Sequence, residues 1–341
     1  MIKLVDIANE LNLSRVTVSA VLNDRYKSIG ISQATADKVL KKAKEMGYRR
    51  NEMAMSMKTG KSYLLGCMSG AVSKGWGGRI LKGALDGVKT TPYSMKLESV
   101  HNTEDEMNAI QGFLGSRVAG IFACNINPRI EQITQMRKEL ERYEIPLVCN
   151  NCNSDVSPYR VEAEHQTGSL LAVKHLAELG HKDIAFIGGD PYSLASNQRT
   201  EGFIEGLGDC GLSMGPNYLI RADWKEALTV EAVTSLIRAQ KRPTAIICAN
   251  DEMAAVAIRT IHEAGLSVPN DISIVGFSDG RLSKFFSPAM TCISIPENDI
   301  GKASIELLID VIENPPEDPK AEITKRLKPS IVVRDSTAKP Q

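Results

Sequence analysis

From residue 63 onward, short apolar runs alternate with longer amphipathic stretches, and this alternation restricts the fold more than any other feature of the chain. The runs LLGCMS, VAGIFACN, IPLVCN, DIAFIGG, TAIICAN and DISIVGF read as strands. Each is apolar almost throughout, as expected for a strand covered on both faces. Stretches of helical period lie between them, at 104–115, 166–179, 226–239 and 251–264. Strand followed by helix followed by strand implies parallel sheets with helices on both faces. The segment is too long for one usual sheet, so two similar α/β lobes with a cleft between them are expected. In such sheets, ligands collect outside the carboxyl ends of the strands.

The first 47 residues follow a different pattern: three short helices, at VDIANEL, LSRVTVSAVLND and residues 32–46. Ser14 and Ser32 stand as N-caps, and Gly47 ends the third helix in a left-handed turn. Only LNL separates the first two helices, and Asn12 is one of the few non-glycine residues that tolerates positive φ. So tight a turn implies a helix-turn-helix. In the second helix Val18, Val21 and Leu22 recur at i, i+3 and i+4 and form the core stripe, which leaves Arg15, Val16, Ser19 and Ala20 on the other face. That helix enters the DNA major groove in such motifs. Arg15 can donate two hydrogen bonds to a guanine, Val16 and Ala20 can meet a thymine methyl, and Thr17, Ser19 and Asn23 suit phosphate oxygens.

Charge supports the same division. Residues 1–62 hold 12 Lys/Arg against 6 Asp/Glu, a net of +6, while the remainder carries 29 against 35, a net of −6. A basic head on an acidic body points to a polyanion partner for the head alone. A three-helix protein-interaction module is the bland alternative, opposed by the turn, the caps and the charge. The chain shows neither a secretory leader pattern nor a run long enough to span a membrane, so a cytoplasmic protein is expected. The seven cysteines are odd in number and lie mostly in apolar runs, as reduced thiols do; Cys149 and Cys152 form a lone C-x-x-C read as buried strand-end cysteine.

Two enzyme signatures were weighed. Gly60-Lys61-Ser62 lacks the first glycine of a phosphate-binding loop, since Met55 holds that position. GFSDG, residues 276–280, matches a nucleophile elbow, yet all five histidines precede Ser278, whereas a hydrolase triad of that kind places its histidine after the serine. Ser278 therefore reads as part of a strand-end loop. Arg199, Asn250 and Trp76 also fall near strand ends, where an arginine fork, an amide and an indole face suit a hydroxyl-rich ring.

In VDIANELNLSRVTVSAVLN, AVKHLAELGHKDIAFIGG, ANDEMAAVAIRTIHEAGLSVPNDISIVGF and KPSIVVRDSTAKP the chain resembles the LacI/GalR family of bacterial transcription regulators, from Lys3 to about Pro340. The resemblance implies a homodimer whose periplasmic-binding-protein-like core binds a small effector and controls the affinity of a helix-turn-helix head for operator DNA. By position it implies operator reading by Arg15, Val16 and Ala20, with Thr17, Ser19 and Asn23 nearby. A hinge helix is implied over residues 51–58, with Asn51 at the DNA and Met57 as a minor-groove wedge. The implied effector cleft contains Trp76, Cys124, Asn125, Arg199, Asn250 and Ser278. Several positions depart from the family pattern: Ala20 replaces a frequent arginine, NDRYKSIGIS is a long loop, Arg50 stands for proline, KGWGG keeps one aromatic of a usual pair, and Glu164-His165 replaces Asp-Asn. Ser278 stands where the effector-binding aspartate is usual, which puts an ordinary neutral sugar in doubt. The chain ends without a leucine-heptad tail, so a dimer is the expected assembly.

The sequence therefore predicts a helix-turn-helix domain over 1–50, a hinge and linker over 51–62 and a two-lobed effector-binding and dimerisation core over 63–341. The function implied is transcriptional regulation, as a repressor, with a sugar or sugar derivative as effector, and no enzymatic, metal or membrane role. A sugar-transport receptor and a Ser278 hydrolase are the rivals.

Overall fold

The structure, a computed structural model, describes residues 2–23, 25–48, 61–126, 130–152 and 154–341. Asn51, Met57 and the whole hinge segment lie outside the described residues. The chain divides into two compact units, residues 1–62 and 63–341.

In the first unit, α1 (Leu4–Leu11), α2 (Arg15–Leu22) and α3 (Gln33–Glu45) enclose a small core of Ile7, Ala8, Val18, Val21, Ala36, Val39 and Ala43. Asn12 turns the chain with φ 51°. Its backbone N–H still reaches the last carbonyls of α1, so the reversal leaves no donor unpaired there. Ser14 Oγ accepts from Thr17 N–H at 3.0 Å, and Ser32 Oγ accepts from Thr35 N–H at 3.3 Å. The long loop between α2 and α3 is pinned by Tyr26, which is buried and donates to Gln33 Oε1 at 2.9 Å.

The second unit holds two six-stranded sheets. Its elements in chain order are β1 (Leu64–Ser69), α4 (Gly75–Val88), β2 (Ser94–Ser99), α5 (Thr103–Gly115), β3 (Gly120–Cys124), α6 (Ile130–Arg142), β4 (Leu147–Asn150) and β5 (Tyr159–Ala163). There follow α7 (His165–Leu179), β6 (Ile184–Gly188), α8 (Leu194–Asp209), β7 (Leu219–Arg221), α9 (Glu226–Arg238), β8 (Ala245–Cys248), α10 (Asp251–Glu263), β9 (Ser273–Ser278), β10 (Thr291–Ser294), α11 (Glu297–Glu313), β11 (Ile323–Leu327) and β12 (Ser330–Val332). The first sheet runs β11-β5-β4-β3-β1-β2 and the second β12-β10-β9-β8-β6-β7. Pairing is parallel except between β10 and β12. The chain crosses between sheets after β5, after β10 and after β11, so each sheet is completed by strands from both halves of the unit.

The six strands expected from sequence are β1, β3, β4, β6, β8 and β9. The six others are short or half-polar. Interior strand β5 escapes the pattern because it carries Arg160 and Glu162, whose charges meet at 3.0 Å while Arg160 also pairs with Glu322, just before neighbouring β11, at 3.0 Å. Helices α4 and α11 cross with their backbones touching. A Cβ on Gly83 would overlap the Asn298 carbonyl, and one on Gly301 would overlap that of Ile80. This crossing sets the middle of α4, from Arg79 to Ala84, against the first turn of α11, which the chain enters from the other sheet.

Cys149 and Cys152 are both buried at the end of β4, as expected, with Cα atoms 6.2 Å apart and their sulfurs side by side. The other five are free thiols.

Candidate functional site: a basic helix face and a polar cluster at the strand ends

On α2, Arg15 is exposed and Val16 is 73% exposed, so the first turn offers a cation and an apolar surface side by side. Thr17 Oγ1 and Ser14 Oγ share a hydrogen bond at 2.8 Å. Ser19 is half-buried, and Asn23 turns its amide back onto the Ser19 carbonyl and hydroxyl, so it is engaged within the helix. Ala20 corrects the sequence reading: it is only 4% exposed. Arg25 N–H donates to the Ala20 carbonyl at 2.9 Å and closes the C-terminal end of α2, and at 4% exposure the Ala20 methyl offers little surface to a base.

In the core, the polar side chains gather at the carboxyl ends of both sheets. Arg199, on the first half of α8, is buried. Its Nη1 donates to the Ala249 carbonyl, its Nη2 lies 3.2 Å from His165 Nδ1, and its guanidinium carbon stands 4.7 Å from the centre of the Phe277 ring. Burial pulls its pKa down to about 10, so it remains charged at neutral pH. Burial, and then the Arg199 charge, hold His165 well below its ordinary value, so the imidazole is neutral and Nδ1 accepts. Asn250 caps α10, its Oδ1 accepting from Met253 N–H at 2.7 Å. The amide NH₂ is thus the part of Asn250 suited to a ligand.

Ser278 ends β9 with φ 91°, followed by Asp279 at φ 52°; Asn125, Asn151 and Trp224 are also left-handed. Such backbone is costly for residues with side chains and gathers at functional sites. Asn151 Nδ2 donates to Asn125 Oδ1 at 2.9 Å, while the buried Asn151 Oδ1 has no hydrogen-bond partner among the described residues. Arg79, one turn into α4 beside half-buried Trp76, spans the lobes: Nη2 donates to Glu297 Oε1 at 3.0 Å and approaches the Ser278 carbonyl at 3.5 Å. Glu297 is 5% exposed, and burial raises its pKa. Asp251 is spent on the loop after β9, accepting from Gly280 N–H at 2.6 Å and Ser283 Oγ at 3.1 Å.

The structure thus brings Arg199, Asn250, Ser278 and, through Arg79, Trp76 to one region, with Asn125 at the matching strand end of the other sheet. Cys124 is corrected: its side chain is wholly buried in the core, and burial pushes the thiol up to about 12, so it offers a ligand nothing. Sequence reasoning missed Arg79, Glu297, Asn151 and Trp224. Trp224 carried a signal, since Gly189 at the end of β6 has no room for a Cβ beside the indole. A separate cavity of about 690 Å³ opens at the amino ends of β3, β4 and β5, lined largely by proline and aliphatic residues. It lies at the wrong end of the strands for a ligand site of this architecture.

A three-helix basic head and a two-sheet core with its polar residues at the strand ends define a helix-turn-helix regulator with a periplasmic-binding-protein-like core. Comparison with known proteins agrees. Residues 3–51 match bacterial regulatory proteins of the lacI family, and residues 173–337 match the periplasmic binding protein-like domain. Catabolite control protein A of Priestia megaterium is 30% identical over 308 residues, 89% of this chain and 90% of its own length. The HTH-type transcriptional repressor PurR of Aliivibrio fischeri (strain MJ11) is 29% identical, covering 97% of both chains. The lac repressor dimer bound to operator and the anti-inducer ONPF has the same fold, with a TM-score of 0.84 at 24% identity over 99% of both chains. The chain belongs to the lacI family of bacterial regulatory proteins. Among the described residues, no helix is long and apolar enough to cross a membrane, and no cluster of His, Cys, Asp and Glu is suited to a metal.

Proposed function

We propose that this DNA-binding transcriptional regulator is a homodimeric repressor that reads its operator with α2 and is controlled by a small polar effector, a sugar or sugar derivative, at the strand ends of the core. The observation that carries the reading is the exposed Arg15–Val16 edge on a basic head, in the same chain as a core whose strand ends collect Arg199, Asn250, Ser278 and Trp76. Arg15 reads a base, Val16 meets a methyl group, and Thr17 and Ser19 face phosphates. The relatives named as repressors support the sign of regulation.

The test is operator selection from a DNA library with the full chain, followed by titration at several salt concentrations. Affinity should fall with salt at a slope of about −0.9 per phosphate neutralised. Arg15→Ala should cost roughly 1–3 kcal/mol on the selected site and much less on random DNA. Equal losses on both would reduce Arg15 to a phosphate contact, and salt-independent binding would overturn the reading of the head.

A further inference from the structure

The charges at the strand-end site are unusually arranged. Two guanidinium groups, Arg79 and Arg199, approach it from opposite lobes. Among the described residues, the hydrogen bonds of Arg199 run only to neutral acceptors, the Ala249 carbonyl and His165 Nδ1. Glu297 sits between them, hydrogen-bonded to Arg79 and within electrostatic reach of Arg199. It is 5% exposed, and burial raises its pKa despite the guanidinium contact, so this carboxylate is poorly accommodated.

Two carboxylates beside them are occupied. Asp279 pairs with Arg334 at 2.7 Å, and Asp251 accepts from Gly280, Ser283 and Cys292. Ser278 brings no charge. A neutral sugar is commonly held by carboxylates that accept from adjacent hydroxyls, and the two that flank Ser278 and Asn250 are already engaged. What the site does offer is cationic: the fork of Arg79, paired with a buried carboxylate, and the charge of Arg199.

We propose that the effector is a small anion, a carboxylate or phosphate such as a sugar acid or phosphorylated sugar, and that its anionic group takes the place of Glu297 on Arg79. This deepens the reading above and rests on it for the location of the effector. Glu297 is then an internal competitor: it satisfies Arg79 while the site is empty and releases it when a better-placed anion arrives. Because Arg79 belongs to α4 and reaches the end of β9, the exchange of partners alters the tie between the lobes at the point where they meet.

The competitor role makes a prediction of unusual sign. Melting of the core is followed in the full chain at constant ionic strength, with inorganic phosphate, D-gluconate and D-glucose as probes; a ligand that binds only the folded state raises the midpoint. Phosphate or gluconate should give a saturable rise and glucose none, and which anion acts separates the phosphate from the carboxylate class. Arg79→Gln should weaken anion binding at least about tenfold, the loss of one charge-assisted hydrogen bond. Glu297→Gln, close to isosteric, should strengthen it by about tenfold. Weaker anion binding in Glu297→Gln, a rise with glucose alone, or no saturable anion response in either protein overturns the proposal. A response untouched by both variants means an adventitious ion only and overturns it equally. Operator binding without any probe is measured alongside: its absence defeats the regulator reading, whereas the probe results bear on the effector class alone.

Discussion

Replacing Arg199 with methionine separates what the guanidinium does for stability from what it does for ligands. The charge-assisted bond to the Ala249 carbonyl is worth about 1.5–3 kcal/mol, and the cation over Phe277 about 0.5–2 kcal/mol. Against this, burial pulls the group from its ordinary 12.5 to about 10, a cost of roughly 3 kcal/mol for keeping it charged. The opposing contributions nearly cancel, leaving a net of no more than about 2 kcal/mol, as buried charges replaced by apolar side chains of similar size commonly show. Methionine keeps the apolar stem against Phe277 and opens little space. Arg199→Met should therefore shift the calorimetric midpoint of the core only slightly. With the cation gone, His165 should titrate closer to its ordinary 6.5 in NMR experiments, because the repulsion from Arg199 is removed. A loss above about 4 kcal/mol, or an unmoved His165, would show that the guanidinium is a structural strut and that the cancellation argued here is wrong.

Acid should destabilise the core through His165. The unfolded chain takes up a proton near pH 6.5 that the folded imidazole refuses, so this contribution is complete above that pH and declines below it, by at most about 1.4 kcal/mol per pH unit. Asp251 and Glu297, both raised by burial, act with the opposite sign: their contribution is present at low pH and is lost as pH rises through their folded values. Denaturation curves of the parent and His165→Asn should diverge between pH 6.5 and 5.5, and parallel curves would refute the assignment. Gly301→Ala should destabilise the core by roughly 1–3 kcal/mol, at the upper end because the added methyl meets the Ile80 carbonyl and Ala84 nitrogen rather than yielding side chains. A neutral result in urea titration would mean that α4 and α11 separate without cost.

Local chemistry made much of the molecule legible. Asn12, Ser14, Ser32 and Gly47 act through their own backbone and the next few residues, so the three helices of the head follow from nearest neighbours. Strands β1, β3, β4, β6, β8 and β9 announce themselves because both faces are covered and nearly every position is apolar. Arg199, Asn250 and Ser278 could be placed near strand ends because strand ends can be counted along the chain.

Tertiary structure decided the rest. Interior strand β5 is hidden by Arg160 and Glu162, whose charges meet each other and those of Glu322 and Arg326, brought in from far along the chain. The burial of Ala20 and of Cys124 depends on elements packed against α2 and β3, which the local pattern does not name. The Arg79–Glu297 pair joins residues 218 positions apart. No periodicity in the sequence records such a meeting, because periodicity reports the face a residue presents. What that face touches depends on where the chain crosses between sheets, and the partner of Arg79 is set by the glycine-lined crossing of α4 and α11.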